Sequence, residues 1–253
     1  MVAAYRREAI LTLANEGSEL SVDEIARHFD VSRETVRRDL KYLQSHGLLR
    51  RVHGGALPAQ TGWEAAFRER LVDNAPAKQG IARAAARLFR ENDTLMIDTG
   101  TTTSMLAAEL AHAPRLTVIT NSFDVASRLG VGSSQHRIHV IGGEFRSESQ
   151  QTLGSACLEQ ISRYRADHAI ISCGGADPVD GLMDYDFEDA MVARAMIAQA
   201  ARLTLIADRT KFERVAMAKV CGLDLVDRIV TDAEPPPWLR EAADLHQTEL
   251  IIA

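Results

Sequence analysis

The residues Asp98-Thr99-Gly100-Thr101-Thr102-Thr103-Ser104 place a carboxylate, a glycine and a row of hydroxyls directly after the apolar run Thr94-Leu95-Met96-Ile97. With a helix following through Leu106 and Leu110, hydroxyls and free amides converge where the helix dipole is positive, which suits an anion such as phosphate. Without a ligand the same residues read as a helix cap with spare threonines. No Gly-Lys-Ser/Thr triplet follows, so this is not a nucleoside-triphosphate loop. Four more polar sets follow apolar runs: Thr120-Asn121-Ser122, Gly142-Gly143-Glu144-Phe145-Arg146, Gly174-Gly175-Ala176-Asp177 and Asp208-Arg209-Thr210-Lys211. Five such loops sharing one crevice would hold a small polar, phosphorylated ligand.

A second set is cationic. Residues 33–53 carry Arg33, Arg37, Arg38, Lys41, Arg50 and Arg51 against Glu34 and Asp39, a local charge of +4. On a helix with Val36 at zero, Leu40 and Leu43 fall within about 40°, while Glu34, Arg37, Arg38, Lys41 and Ser45 lie about 100–200° away. A buried aliphatic stripe under an Arg/Lys outer face has the shape and charge to enter a DNA major groove. A solvated charged face is the plain alternative for such a helix alone.

Two further chemistries use the same residue types. A sugar-phosphate isomerase needs a carboxylate base beside a cationic stabiliser, and Asp98, Asp177, Asp184, Glu188 and Lys211 are of the right kinds. The same groups equally hydrogen-bond sugar hydroxyls in a binding pocket. A metal site is disfavoured, because the eight histidines show no HxxxH-type spacing.

The elements that position these residues are legible. Ser21 with Glu24 three residues on predicts a capped short helix over Ile25, Ala26 and Phe29, ending near His28. Asp30-Val31 makes a turn, and Ser32 caps a helix through Val36, Leu40 and Leu43 as far as Gly47. Before them, Ile10, Leu11, Leu13 and Ala14 form a helical stripe ending at Gly17. After them, Leu48 to His53 reads as a strand that Gly54-Gly55 could turn back, the outline of a wing. From Pro76 a helical stripe (Ile81, Ala85, Leu88, Phe89) precedes seven short apolar runs, at 94–97, 116–119, 138–141, 169–172, 203–206, 228–231 and 249–252. Continuous apolar runs alternating with helices predict an α/β domain with a mainly parallel sheet and ligands at the strands' carboxyl ends.

Length and composition agree. The chain has 253 residues, 46% of them hydrophobic and 25% charged, which excludes wholesale disorder and leaves room for two domains. The formal charge of −6 argues against a uniformly basic nucleic-acid binder, yet it divides into +1 over residues 1–57 and −7 over the remainder. Cys157, Cys173 and Cys221 match neither a zinc spacing nor an even disulfide framework, so reduced thiols are expected. No run of about 18 apolar residues occurs and Met1 to Glu8 lacks the apolar stretch of a signal peptide, so a cytoplasmic protein is expected.

Residues 6–56, above all Ser21-Val22-Asp23-Glu24-Ile25-Ala26, Val31 to Leu40 and Gly47 to Ala56, resemble the DeoR-type winged helix-turn-helix of bacterial transcriptional repressors. Residues 76–253 resemble the effector domain of the same regulators, a fold similar to ribose-phosphate isomerases, glucosamine-phosphate deaminases and coenzyme A transferases. The matching residues include Asp98 to Thr102, Thr120 to Ser122, Gly142-Gly143 with Arg146, Gly154, Gly181, Asp184-Tyr185, Glu188, and Asp208 with Lys211. Arg194 stands where that family commonly has lysine; it keeps the charge and changes reach and fork geometry.

The resemblance implies that Ser32, Arg33, Thr35, Arg37 and Arg38 read operator DNA, with Lys41, Arg50, Arg51 and His53 on phosphates. It implies an effector site drawn from Asp98, Thr99, Gly100, Thr101, Thr102 and Thr103, joined by Asn121, Ser122, Gly142, Gly143 and Arg146, and by Gly175, Asp184, Glu188 and Lys211. The expected organisation is a DNA-binding domain over 1–57, a linker over 58–75 and an effector domain over 76–253. The expected partners are operator DNA, a phosphorylated sugar, and further copies of the chain in a dimer or tetramer, with no cofactor or metal. A DNA-reading domain ahead of the pocket favours sensing; an isomerase or deaminase-like enzyme carrying a DNA-binding domain is the alternative.

Overall fold

The computed structural model describes residues 6, 7, 9, 10, 13, 20–45, 49–52, 55–58, 66–132 and 135–253. The chain divides into two compact units, 1–65 and 66–253. Leu11, Ala14, Gly17, Gly47, His53 and Gly54, named above, lie outside the described residues.

In the smaller unit, strand β1 (Leu20–Ser21) leads into helices α1 (Val22–Phe29) and α2 (Arg33–Ser45), then strands β2 (Leu49–Val52) and β3 (Gly55–Pro58). The capping box forms as expected: Ser21 Oγ accepts the Glu24 N–H at 3.1 Å and the Glu24 carboxylate accepts the Ser21 N–H at 3.0 Å. Asp30 ends α1 in the left-handed region at φ 49°, its N–H returning to the Ala26 carbonyl. Ile10, Ile25, Phe29, Val36, Leu40 and Leu43 form one buried core. β3 pairs antiparallel with both β1 and β2, with Arg50 opposite Leu57 and Arg51 opposite Ala56.

The larger unit opens with α3 (Phe67–Val72), inside the segment expected to be a linker, then α4 (Ala75–Ala86), β4 (Thr94–Ile97), α5 (Thr101–Leu110), β5 (Thr117–Thr120), α6 (Phe123–Gly130) and β6 (Arg137–Val140). A hairpin of β7 (Glu144–Arg146) and β8 (Gln151–Leu153) precedes α7 (Ser155–Ile161) and β9 (Ala166–Ile171). A second hairpin, β10 (Gly175–Asp177) with β11 (Gly181–Asp184), is followed by α8 (Phe187–Ala198), β12 (Ala200–Ile206), β13 (Ala218–Cys221), β14 (Arg228–Thr231), α9 (Pro237–His246) and β15 (Glu249–Ile252).

All seven apolar runs became strands of one sheet in the order β15-β14-β12-β9-β4-β5-β6, every pair parallel. Successive residues face opposite sides, and both sides are covered. Leu95, Ile97, Val118 and Ile170 pack with Ile81 of α4, Leu106 of α5 and Val125 of α6. Met96 and Ile119 pack on the other side with Cys157 of α7 and Met196 of α8. Two buried faces are why the runs are continuous rather than alternating. The order runs outward from β4 through β5 and β6 on one side and from β9 onward on the other. The direction of winding therefore reverses between β4 and β9, and a crevice opens at such a switch point beyond the carboxyl ends of the strands.

Candidate functional site

On α2 the first turn is held by Ser32, whose Oγ accepts the Thr35 N–H at 3.1 Å and lies 2.9 Å from Thr35 Oγ1. Ser32 and Thr35, both expected at the DNA interface, are thus joined in the helix cap. Arg37, Arg38 and Lys41 are exposed together, as the helical arithmetic required, and Arg33 is exposed beside them. Arg33 pairs with Asp23 at 2.6 Å and Arg37 with Glu34 at 3.8 Å, both in solvent, where such pairs contribute little and yield readily to a phosphate. Arg38 and Lys41 have no ion pair among the described residues.

Asp39, counted against the cations of this segment, does not share their face. It is buried, 2% exposed, and its carboxylate takes the Arg6 guanidinium at 2.5 Å and that of Arg7 at 2.9 Å. Arg7 also lies over the Tyr42 ring, 3.6 Å from its centroid. Asp39 therefore subtracts nothing from the outer face and ties the first helical residues to α2. Arg50 and Arg51 lie in β2, and His53 lies outside the described residues.

In the larger unit, β4 delivers Asp98 and α5 begins at Thr101, at the switch point. The Asp98 N–H bonds the Ile170 carbonyl of β9 at 3.1 Å. Gly100 is extended, with φ 174°, so its backbone demands no glycine; the need is space, because a Cβ there would run into Ser172 Oγ and come within 3.1 Å of Thr103 Oγ1. Thr103 and Ser104 both donate their hydroxyls to the Gly100 carbonyl, at 2.9 and 2.7 Å. Thr103, fully buried, thus acts in the cap, and Thr101 and Thr102 are the first-turn hydroxyls not used there.

From this loop a hydrogen-bonded chain crosses the sheet edge. Thr99 Oγ1 donates to Asn121 Oδ1 (3.3 Å), Asn121 Nδ2 to Gln151 Oε1 (3.3 Å), and Gln151 Nε2 to Asp189 Oδ1 (3.0 Å). Asp189 lies 3.5 Å from the Arg146 guanidinium, which also pairs with Asp186 and Glu188 at 2.7 Å each. Asn121 is fully buried and also donates to the Thr152 carbonyl, so it fixes β5 against β8. Ser122, equally buried, caps α6 by accepting the Val125 N–H. Burial pushes the Asp98 carboxyl well above the usual carboxylate range; the Thr99 N–H opposes that, and the Asp189 and Asp184 charges add to it. A cavity of about 320 Å³ adjoins Arg146, Glu144, Glu148 and Glu188.

Other expected residues have packing roles. A Cβ on Gly143, at φ +152°, would strike the Leu153 carbonyl, and one on Gly175 the Arg214 carbonyl. The Gly142 N–H bonds Gln160. Asp184 accepts the Tyr185 N–H at 2.7 Å and lies near Asp98. Lys211 lies in a short 3-10 helix after β12, next to Asp208. Arg194 donates to the Val220 and Lys219 carbonyls, so it pins α8 to β13. Burial pushes the thiols of Cys157 and Cys221 up to about 11 and about 12, which leaves them unreactive. Sequence reasoning missed Gln151, Asp186 and Ser172, whose types are ordinary for loops and helix caps, and Lys78, a buried lysine on α4.

Such a chain joins a helix-turn-helix and wing to a doubly wound sheet with polar loops at its switch point, the build of a ligand-responsive transcriptional regulator. Family models agree over both parts: the DeoR-like helix-turn-helix domain matches residues 6–61 and the DeoR C terminal sensor domain matches residues 73–233. The protein belongs to the DeoR family of DNA-binding transcriptional regulators. It is 33% identical over 250 residues to the glycerol-3-phosphate regulon repressor of Escherichia coli (strain K12), covering 99% of each chain. It is 31% identical to the L-fucose operon activator of Haemophilus influenzae, covering 98% of this chain and 99% of that one. A ribose 5-phosphate isomerase A structure from Methanocaldococcus jannaschii is a distant likeness, at TM-score 0.41 and 14% identity over 55% of each chain. The family and its curated relatives are regulators, not enzymes.

Proposed function

We propose that the protein represses an operon of carbohydrate metabolism, holding operator DNA through residues 32–53 and releasing it when a phosphorylated sugar or polyol occupies the crevice around Asp98 to Thr103. The carrying observation is the position of that loop: a glycine approached closely by Ser172 and a first helical turn with unused hydroxyls, at the β4/β9 switch point of a DNA-binding chain. The name of the E. coli relative supports a small phosphorylated polyol as ligand class. One winged helix offers limited contact and the larger unit is acidic, so paired half-sites and at least a dimer are needed for specificity. Among the described residues no helix is long and apolar enough to cross a membrane, which fits work on DNA in the cytoplasm.

The test pairs a thermal-shift screen with fluorescence anisotropy on DNA from upstream of the protein's own gene. The panel is glycerol 3-phosphate and the phosphates of fructose, tagatose and deoxyribose, each beside its unphosphorylated parent. One phosphorylated member should raise the melting midpoint and weaken DNA binding by about 5–150-fold, the range a coupling of about 1–3 kcal/mol gives. The reading fails if none does, or if the parents act equally well.

A further inference from the structure

Lys78 lies near the start of α4 and is 4% exposed. Its Nζ donates to the Arg70 carbonyl in α3, at 2.5 Å, and no other hydrogen bond to it is present among the described residues. An ammonium carries three donors, so a buried lysine with one acceptor is under-satisfied. The charged groups that bear on it are Asp208, Lys211, Arg70 and Asp73. Asp208 is already engaged by the Thr210 N–H and hydroxyl and by the Asn74 amide. Asp208 follows β12, so this cluster sits at the same carboxyl-terminal edge of the sheet as Asp98 to Thr103, with Arg146 on the far side of that loop.

Building on the effector reading above, we infer that Lys78 is an anion-binding residue of the crevice, and that transfer of its ammonium from the Arg70 carbonyl to the ligand's phosphate is the event that changes α3. An anion adds the missing acceptors. α3 is the first element of the larger unit after the segment that follows the wing, so a change in what holds its carbonyl end is placed to reach the DNA-binding unit. Arg146, by contrast, already has three carboxylates of its own, so a ligand phosphate gains less there.

The test uses the full chain and inorganic phosphate, read by ³¹P line broadening, together with hydrogen exchange at the amides of 67–72. Wild type should bind phosphate in the millimolar range, and phosphate should speed exchange in α3. Lys78→Met should weaken binding at least tenfold and leave α3 exchange fast and indifferent to phosphate; Lys78→Arg should retain most of the binding. If Lys78→Met fails to fold, Lys78→Gln serves the same comparison. Phosphate binding unchanged in the neutral variants, with Gly100→Val deficient, would overturn the assignment and leave the effector crevice standing. Wild-type protein that binds neither phosphate nor any sugar phosphate would remove both.

Discussion

On the outer face of α2, Arg38 and Lys41 stand in solvent without ion pairs among the described residues, whereas at the β4/β9 switch point Thr99, Asn121, Gln151, Asp189 and Arg146 are linked in an unbroken polar chain. The first arrangement keeps charge hydrated and available to a polyanion that brings its own counter-charge. The second fixes geometry in advance, because polar groups removed from water must be satisfied to remain there. On the proposed reading, DNA recognition would rest on exposure and ligand recognition on preorganisation, and a variant should hurt each unit for its own reason.

The contrast breaks most visibly at Gly100. Gly100→Val has no room beside Ser172 and Thr103, so effector response should vanish while DNA affinity stays within twofold by anisotropy; a normally inducible variant would remove the loop from the site. Asp39→Ala should show that the head also contains one preorganised point. Removing the carboxylate from buried Arg6 and half-buried Arg7 should cost about 3–5 kcal/mol and unfold the smaller unit first in urea, with ligand-induced thermal shifts of the larger unit preserved.

Lys78 sharpens the comparison through pH. Burial lowers its pKa from the ordinary 10.5 to about 8, with Lys211 and Arg70 adding to the fall and Asp208 opposing it. Between those values the unfolded chain binds more protons than the folded one, so stability rises with pH across about 8 to 10.5, by up to about 3 kcal/mol. Denaturation series should show that rise in wild type and a flat profile in Lys78→Met. Arg38→Ala should weaken operator binding about tenfold and reduce the salt slope by about one, as loss of an exposed cation does. Thr102→Ala, which removes one unused hydroxyl, should cost about 1 kcal/mol of effector affinity by calorimetry, with induction shifted to higher ligand concentration.

Legibility in the sequence followed the range of the interactions. The capping box at Ser21 and Glu24, the turn at Asp30 and the Ser32 cap involve residues within four positions of one another, and each was readable. The outward fan of Arg37, Arg38 and Lys41 followed from helical geometry alone. The burial of Asp39 was not readable because its partners lie 32 and 33 residues away. Arg146 was placed at the effector site by the resemblance, and nothing nearby in the sequence announced that Asp186, Glu188 and Asp189 would close on it. Lys78 was overlooked because a lysine on a helix is ordinarily a solvated one. The β7–β8 hairpin was read as a loop, since three-residue strands carry too little periodicity to register.

Seven apolar runs of four or so residues, their separation by helical stripes, and the polar sets that end them were determined by the chain's own order of residues, since burial of both faces and the period of each element are local properties. Which runs became neighbours was not. That β4 lies between β5 and β9, that Ser172 therefore crowds Gly100, and that Lys78 and Lys211 share one end of the sheet came only with the tertiary structure. Strand pairing is decided by packing among residues tens of positions apart, and such contacts leave no spacing along the chain to read.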